Sequence, residues 1–141
     1  MSSSADDRCE RPGHPERLVG RVTSGLGDLS RWMRRHADAY HRATGHELVP
    51  GSLNVELHRA WSLPESPRIR LPPEQVGVGM NLVPCTLEGL PAFIARTDRN
   101  EAGTGHHPQN LIEIVAPVGL RQTLNLDDGD QVEILVSRPP P

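Results

Sequence analysis

Ser52-Leu-Asn-Val-Glu-Leu57 carries the fold. Leu53, Val55 and Leu57 alternate with Ser52, Asn54 and Glu56. An extended chain sends successive side chains to opposite faces, so this stretch buries one face and leaves a polar one. Pro50-Gly51 supplies the turn before it.

Working outward, the segments on either side also read as short strands. Residues 1–17 are rich in Ser, Asp, Arg, Pro and Gly and read as a tail. Leu18 to Ser24 is β-compatible and runs into Ser24-Gly25-Leu26-Gly27-Asp28, a glycine-bearing turn. Leu29, Met33, Ala37, Tyr40 and Thr44 then recur at helical spacing, with Trp32 and Ala43 on the flanks. Asp28 or Ser30 can cap the start of this helix, and Gly45 suits its end. Beyond the central strand, Arg59 to Glu74 is proline-punctuated and reads as a loop. Val76 to Val83 reads as a strand weakened by two glycines. Leu87-Glu-Gly-Leu90 forms a hairpin turn leading to Ala92-Phe-Ile-Ala95, and Thr97 to Asn110 is a polar loop. Leu111 to Val115 is a strand, Val118 to Leu126 a short second helix, and Gln131 to Val136 the last strand. Residues 137–141 form a second tail.

The sum is a mainly β domain over residues 18–136, with about six short strands, one amphipathic helix and one short helix. Strands this short, joined by long crossings, fit a closed barrel, because closure removes exposed edges.

Composition narrows the function. The chain has 141 residues and a formal net charge of −3, so no basic face for nucleic acid is expected. All 15 basic residues are arginine. A P-loop needs its lysine, so a phosphate site here must rest on backbone N–H groups, arginine or a metal. Cys9 and Cys85 are too few and too far apart for a disulfide framework or a cysteine zinc site. No apolar run approaches a membrane span, and residues 1–17 lack the apolar core of a signal peptide, so the expected location is cytoplasmic.

Four constellations carry chemistry. Gly25 and Gly27 permit positive φ and close approach of the backbone to an anionic ligand. Ser52 and Asn54 lie two apart on a strand and share a face. Their hydroxyl and amide oxygens suit magnesium that keeps waters and phosphate oxygens as its other ligands. Glu113 is a carboxylate inside an apolar strand, where burial is costly without a partner or a task. Arg121 can meet phosphate bidentately. His106-His107 invites a zinc proposal, but no second cluster has ligand spacing, so the pair reads as a solvated loop.

Three stretches taken together resemble the CTP-dependent riboflavin kinases, found chiefly in archaea. They are Gly20-Arg-Val-Thr-Ser-Gly-Leu-Gly27, Pro50-Gly-Ser-Leu-Asn-Val-Glu-Leu57, and Leu111 to Arg121 followed by Leu124 to Val132. The resemblance implies a six-stranded cradle-loop barrel and transfer of the γ-phosphate of CTP to the 5′-hydroxyl of riboflavin, giving FMN and CDP. It implies nucleotide contacts at Gly25, Leu26, Gly27, Asp28, Leu29 and Ser30, and at Val118, Gly119, Leu120 and Arg121. It implies magnesium on Ser52, where the family carries threonine, and on Asn54. It implies flavin binding by Glu113, which could also take the proton of the attacking hydroxyl. The family pairs that glutamate with a threonine on the preceding loop. Thr104 and Thr97 both fit, and Thr104 better keeps the spacing to the histidines. Tyr40, Trp32 and Trp61 are the candidates to pack on the flavin ring.

Two other readings compete. Ser52, Leu29 after Asp28, and the lengthened 97–110 loop also fit a degenerate homologue that binds flavin or nucleotide without turnover. Leu120 to Val132 is similar to the swapped-hairpin transcription regulators as well, but those need a basic DNA face. The expected partners are CTP and riboflavin, with no nucleic acid and no membrane, on a monomer.

Overall fold

The computed structural model describes residues 15–25 and 29–137. Seven strands form one antiparallel sheet: β1 (Glu16–Thr23), β2 (Leu53–Leu57), β3 (Ile69–Leu71), β4 (Met80–Leu87), β5 (Leu90–Thr97), β6 (Leu111–Val115) and β7 (Gln131–Val136). The strand order is β3-β4-β5-β6-β2-β1-β7, and β7 returns to pair with β4. Six strands therefore close a barrel, with β3 as an addition. The closure works because β4 divides one edge. Met80–Leu82 pair with β3, whereas Cys85–Leu87 pair with β7. The other edge of β4 pairs with β5 along its whole length.

The alternation around Ser52 holds. Leu53, Val55 and Leu57 point into the barrel with Val22, Val83, Ile94, Ile112, Ile114, Val132 and Ile134. A second cluster lies outside the barrel wall. There Met80, Leu82, Phe93, Ala95 and Val115 are covered by Leu29, Met33, Ala39 and Tyr40. Those four come from α1 (Leu29–Arg35) and α2 (Ala37–Thr44), which pack across one flank of the barrel. Cys85 is buried in the interior, and burial pushes its thiol pKa up to about 12, so it behaves as a small apolar side chain.

Several boundaries differ from expectation. The first strand starts at Glu16, two residues into the expected tail. Residues 1–14 of that tail, and residues 138–141 of the other, lie outside the described residues. The single amphipathic helix is two helices separated at His36, whose φ of −118° and ψ of 32° leave the helical region. The break rotates the second half, so Ala39 and Tyr40 face the barrel and Ala37 is exposed. Gly45 ends it as expected, at φ 76°, with its N–H bonded to the His41 carbonyl. The loop expected over Arg59–Glu74 contains β3 and the start of α3 (Pro73–Val76). Three residues are too few for alternation to show. The glycine-weakened strand expected at Val76–Val83 is shifted to Met80–Leu87, because Gly77 at φ 87° ends α3. The polar loop after β5 opens with α4 (Asp98–Glu101), and the short helix after β6 is α5 (Leu120–Leu124). The described residues thus hold five short helices, none long and apolar enough to cross a membrane.

Ile114 is fully buried between β2 and β5 at the centre of the interior. Ile114→Ala should cost about 2–5 kcal/mol of unfolding free energy, measured by urea titration.

Candidate active site

One cross-strand row organises the site. Thr23 pairs with Asn54, Asn54 with Glu113, and Glu113 with Ala95, which pairs in turn with Leu82. All of these lie on the outer face of the barrel. The apolar end of the row sits in the second core under α1 and α2. The polar end forms a sheltered slot beside those helices, which explains why Asn54 is only 6% exposed on the face a strand normally shows to water.

Glu113 is held from two sides. The Ser52 hydroxyl donates to its Oε2 at 2.7 Å. His107 Nδ1 lies 3.3 Å from its Oε1, and both side chains are 14% exposed. Tyr40 shares this environment. Its pKa is pushed up to about 12, mainly by burial and further by the negative charge of Glu113. Of the three aromatic candidates, Tyr40 is the one on which the Glu113 charge acts. Trp32 instead stacks on His36, and Trp61 is buried at the other end of the barrel with its Nε1 donating to Glu16.

Asn54 carries the sign of a binding group. Its Oδ1 is buried and has no hydrogen-bond partner among the described residues. An orphaned buried acceptor costs stability, so its retention points to a ligand. Gly25 packs against it so closely that a Cβ there would sit 2.0 Å from Asn54 Nδ2. The glycine turn thus arrives at the expected metal strand. With Ser52, whose oxygen keeps lone pairs while it donates to Glu113, Asn54 offers a hard-oxygen donor set that fits magnesium completed by water and phosphate.

The turn is fixed at its start. Ser24 donates to Asp128 Oδ2, and Arg121 Nη2 donates to Asp128 Oδ1 at 2.6 Å and to the Thr23 carbonyl at 3.4 Å. These bonds, Ser24 first and Arg121 second, hold the Asp128 carboxyl below its usual range. Arg121 is therefore a guanidinium placed beside the glycine turn, not a free surface charge. Between residues 49–53 and 116–122 lies a cleft of about 200 Å³, lined by Ser52, Val118, Gly119, Leu120 and Arg121 among others. The segment expected to meet the nucleotide and the first expected metal ligand share its walls.

Other expected residues stand apart. Leu26, Gly27 and Asp28 lie outside the described residues. Leu29 is a core residue of α1, and Ser30 is half-buried on the same helix. The hydroxyl of Thr104 donates to the Arg99 carbonyl, and that of Thr97 accepts the Asn100 N–H as the cap of α4. Both threonines organise the loop between β5 and β6. His107 corrects the solvated-loop reading: His106 is exposed, but His107 faces Glu113. Adjacency in sequence hid this, because two neighbouring loop residues face different ways.

Comparison with known proteins shows the family to which the chain belongs. The family model CTP-dep_RFKase, described as a domain of unknown function, DUF120, matches residues 22–136. A riboflavin kinase of Pyrobaculum aerophilum is 38% identical over 127 residues, covering 84% of this chain and 59% of that protein. One of Staphylothermus marinus is 28% identical over 126 residues, covering 86% and 92% respectively. One of Methanosarcina acetivorans is 33% identical over 132 residues, covering 86% and 54%. The chain thus spans just over half the length of two of these three relatives.

Asn54→Leu, which removes the orphaned oxygen at similar volume, should leave stability unchanged or raise it by about 1–2 kcal/mol. A urea titration beside wild type checks this; a loss above that size would make Asn54 a structural residue.

Proposed function

The chain belongs to the CTP-dep_RFKase family, and on that premise we propose that it transfers the γ-phosphate of CTP to the 5′-hydroxyl of riboflavin, releasing FMN and CDP. The observation that carries this reading is the buried row Asn54–Glu113 flanked by Ser52. It places a candidate metal oxygen beside a candidate acceptor carboxylate on neighbouring strands.

The roles divide by position. The glycine-bearing segment that begins at Gly25, with the expected contacts Leu26, Gly27 and Asp28, would offer backbone N–H groups to the phosphates. Val118, Gly119 and Leu120 line the cleft where the base is read by backbone groups, and Arg121 adds positive charge beside the turn. Ser52 and Asn54 would hold magnesium, which supplies neutralisation of phosphate charge when bound. Glu113 receives the riboflavin 5′-hydroxyl and accepts its proton as the oxygen attacks the γ-phosphorus, and Tyr40 borders the same slot. Thr104 or Thr97 contacts the flavin from the loop that carries both. Phosphoryl transfer asks for little covalent chemistry from the protein, so positioning and fixed charge do most of the work.

The test is a phosphotransfer assay with riboflavin, magnesium and either CTP or ATP, with FMN separated by chromatography. FMN formed with CTP and little with ATP is expected. Folded protein that forms none with any nucleotide would refute the kinase assignment. Glu113→Gln should lower kcat/KM for riboflavin by about a hundredfold and change CTP affinity little. An effect confined to CTP would show that the acceptor has been placed on the wrong strand.

A further inference from the structure

His107 is delivered to Glu113 by a loop that is folded around that purpose. Asn100 Oδ1 accepts the backbone N–H of His107 at 3.3 Å. Asn100 itself is tied back to the Thr97 hydroxyl at 3.1 Å. Gly105 makes this possible, since a Cβ there would lie 1.9 Å from Asn100 Oδ1. Thr104 and Gly105 both return their N–H groups to the Arg99 carbonyl, and Gln109 Nε2 donates to the Glu101 carbonyl at 2.6 Å. Buried Arg96 then clamps the far end through Glu101 and the Gln109 carbonyl. A solvated loop needs none of these bonds. Their combined effect is to hold one imidazole, that of His107, against Glu113 while His106 faces water.

Resting on the kinase reading above, we propose that His107 is the positioning residue of the acceptor site, fixing the Glu113 carboxylate for the attacking alcohol. The Ser52 hydroxyl donates to Oε2 and His107 Nδ1 stands 3.3 Å from Oε1, so a polar group faces each carboxylate oxygen. The lone pairs left over are the ones available to a hydroxyl in the slot. Removing His107 frees Glu113 to rotate about its terminal torsion, which is broad for a glutamate. Nδ1 is the ring nitrogen that faces Oε1.

Three substitutions test this: His107→Ala, His107→Asn and His107→Gln. Asn carries its amide nitrogen at the branch position that Nδ1 occupies in histidine, whereas Gln carries it one carbon further out. His107→Ala should lower kcat/KM for riboflavin by about tenfold or more, with KM for CTP unchanged. His107→Asn should recover most of that loss, and His107→Gln much less. Equal kinetics in wild type and His107→Ala would overturn the proposal. So would a loss that falls on CTP, or Asn no better than Gln. If His107→Ala fails to fold, the comparison of Asn with Gln still decides. Absence of FMN from the wild type would count against the kinase reading instead. Riboflavin titration by flavin fluorescence would then decide for His107: weaker binding in His107→Ala supports it, and equal or absent binding overturns it.

Discussion

The guanidinium of Arg96 is the group around which the loop between β5 and β6 is arranged. It is only 3% exposed, and a buried cation without partners would cost several kcal/mol. Its donors reach the Trp61 carbonyl, the Glu101 carboxylate at 2.9 Å, and the carbonyls of Gln109 and Leu111 at 3.0 and 3.2 Å. The Trp61 ring lies against it at 5.4 Å. The partners come from three places in the chain: the segment after β2, the helix after β5, and the entry to β6. None can leave without stranding the charge. The loop between β5 and β6 is therefore a fixed structure, although its composition is that of a mobile one.

Barrel closure supplies the second constraint. Because β4 gives half of one edge to β3 and half to β7, the ring closes while a short extra strand extends the outer wall. That extension widens the apolar floor on which α1 and α2 rest. The same cover stops short of Asn54 and Glu113, leaving them sheltered but reachable. A polar pair in the barrel interior would be inaccessible to substrate, and one on an uncovered face would be fully hydrated. Partial cover lowers the local dielectric, where fixed dipoles and charges act more strongly.

The Ser52–Glu113 hydrogen bond joins the two halves of the site. Ser52 stands at the mouth of the cleft shared with Val118–Arg121, and Glu113 stands on the neighbouring strand, where its charge acts on Tyr40. A serine can donate its proton to the carboxylate and still present oxygen lone pairs on its other side. The donor and acceptor sides of the proposed reaction are thus in contact through one hydroxyl, without a long chain of intermediates.

Period-two alternation at Ser52–Leu57 and the strands at Leu111 and Gln131 were legible because each is a local pattern dictated by backbone geometry. The mainly β class and the closed barrel followed from them. The type of residue at Asn54, Glu113 and Arg121 was equally legible, since an amide or a charge set in an apolar strand stands out locally. The rest required three dimensions. β3 is too short to leave a pattern, and the break at His36 preserves helical spacing on both sides while rotating the second half. Thr104 and Thr97 fit one spacing rule, and only the fold shows that both hydroxyls also bond within their own loop. His107 looks like its neighbour His106 until Arg96 folds the loop and turns only one of them toward Glu113. Local patterns are written by bonds between near residues, whereas the facing of a loop side chain depends on partners tens of residues away.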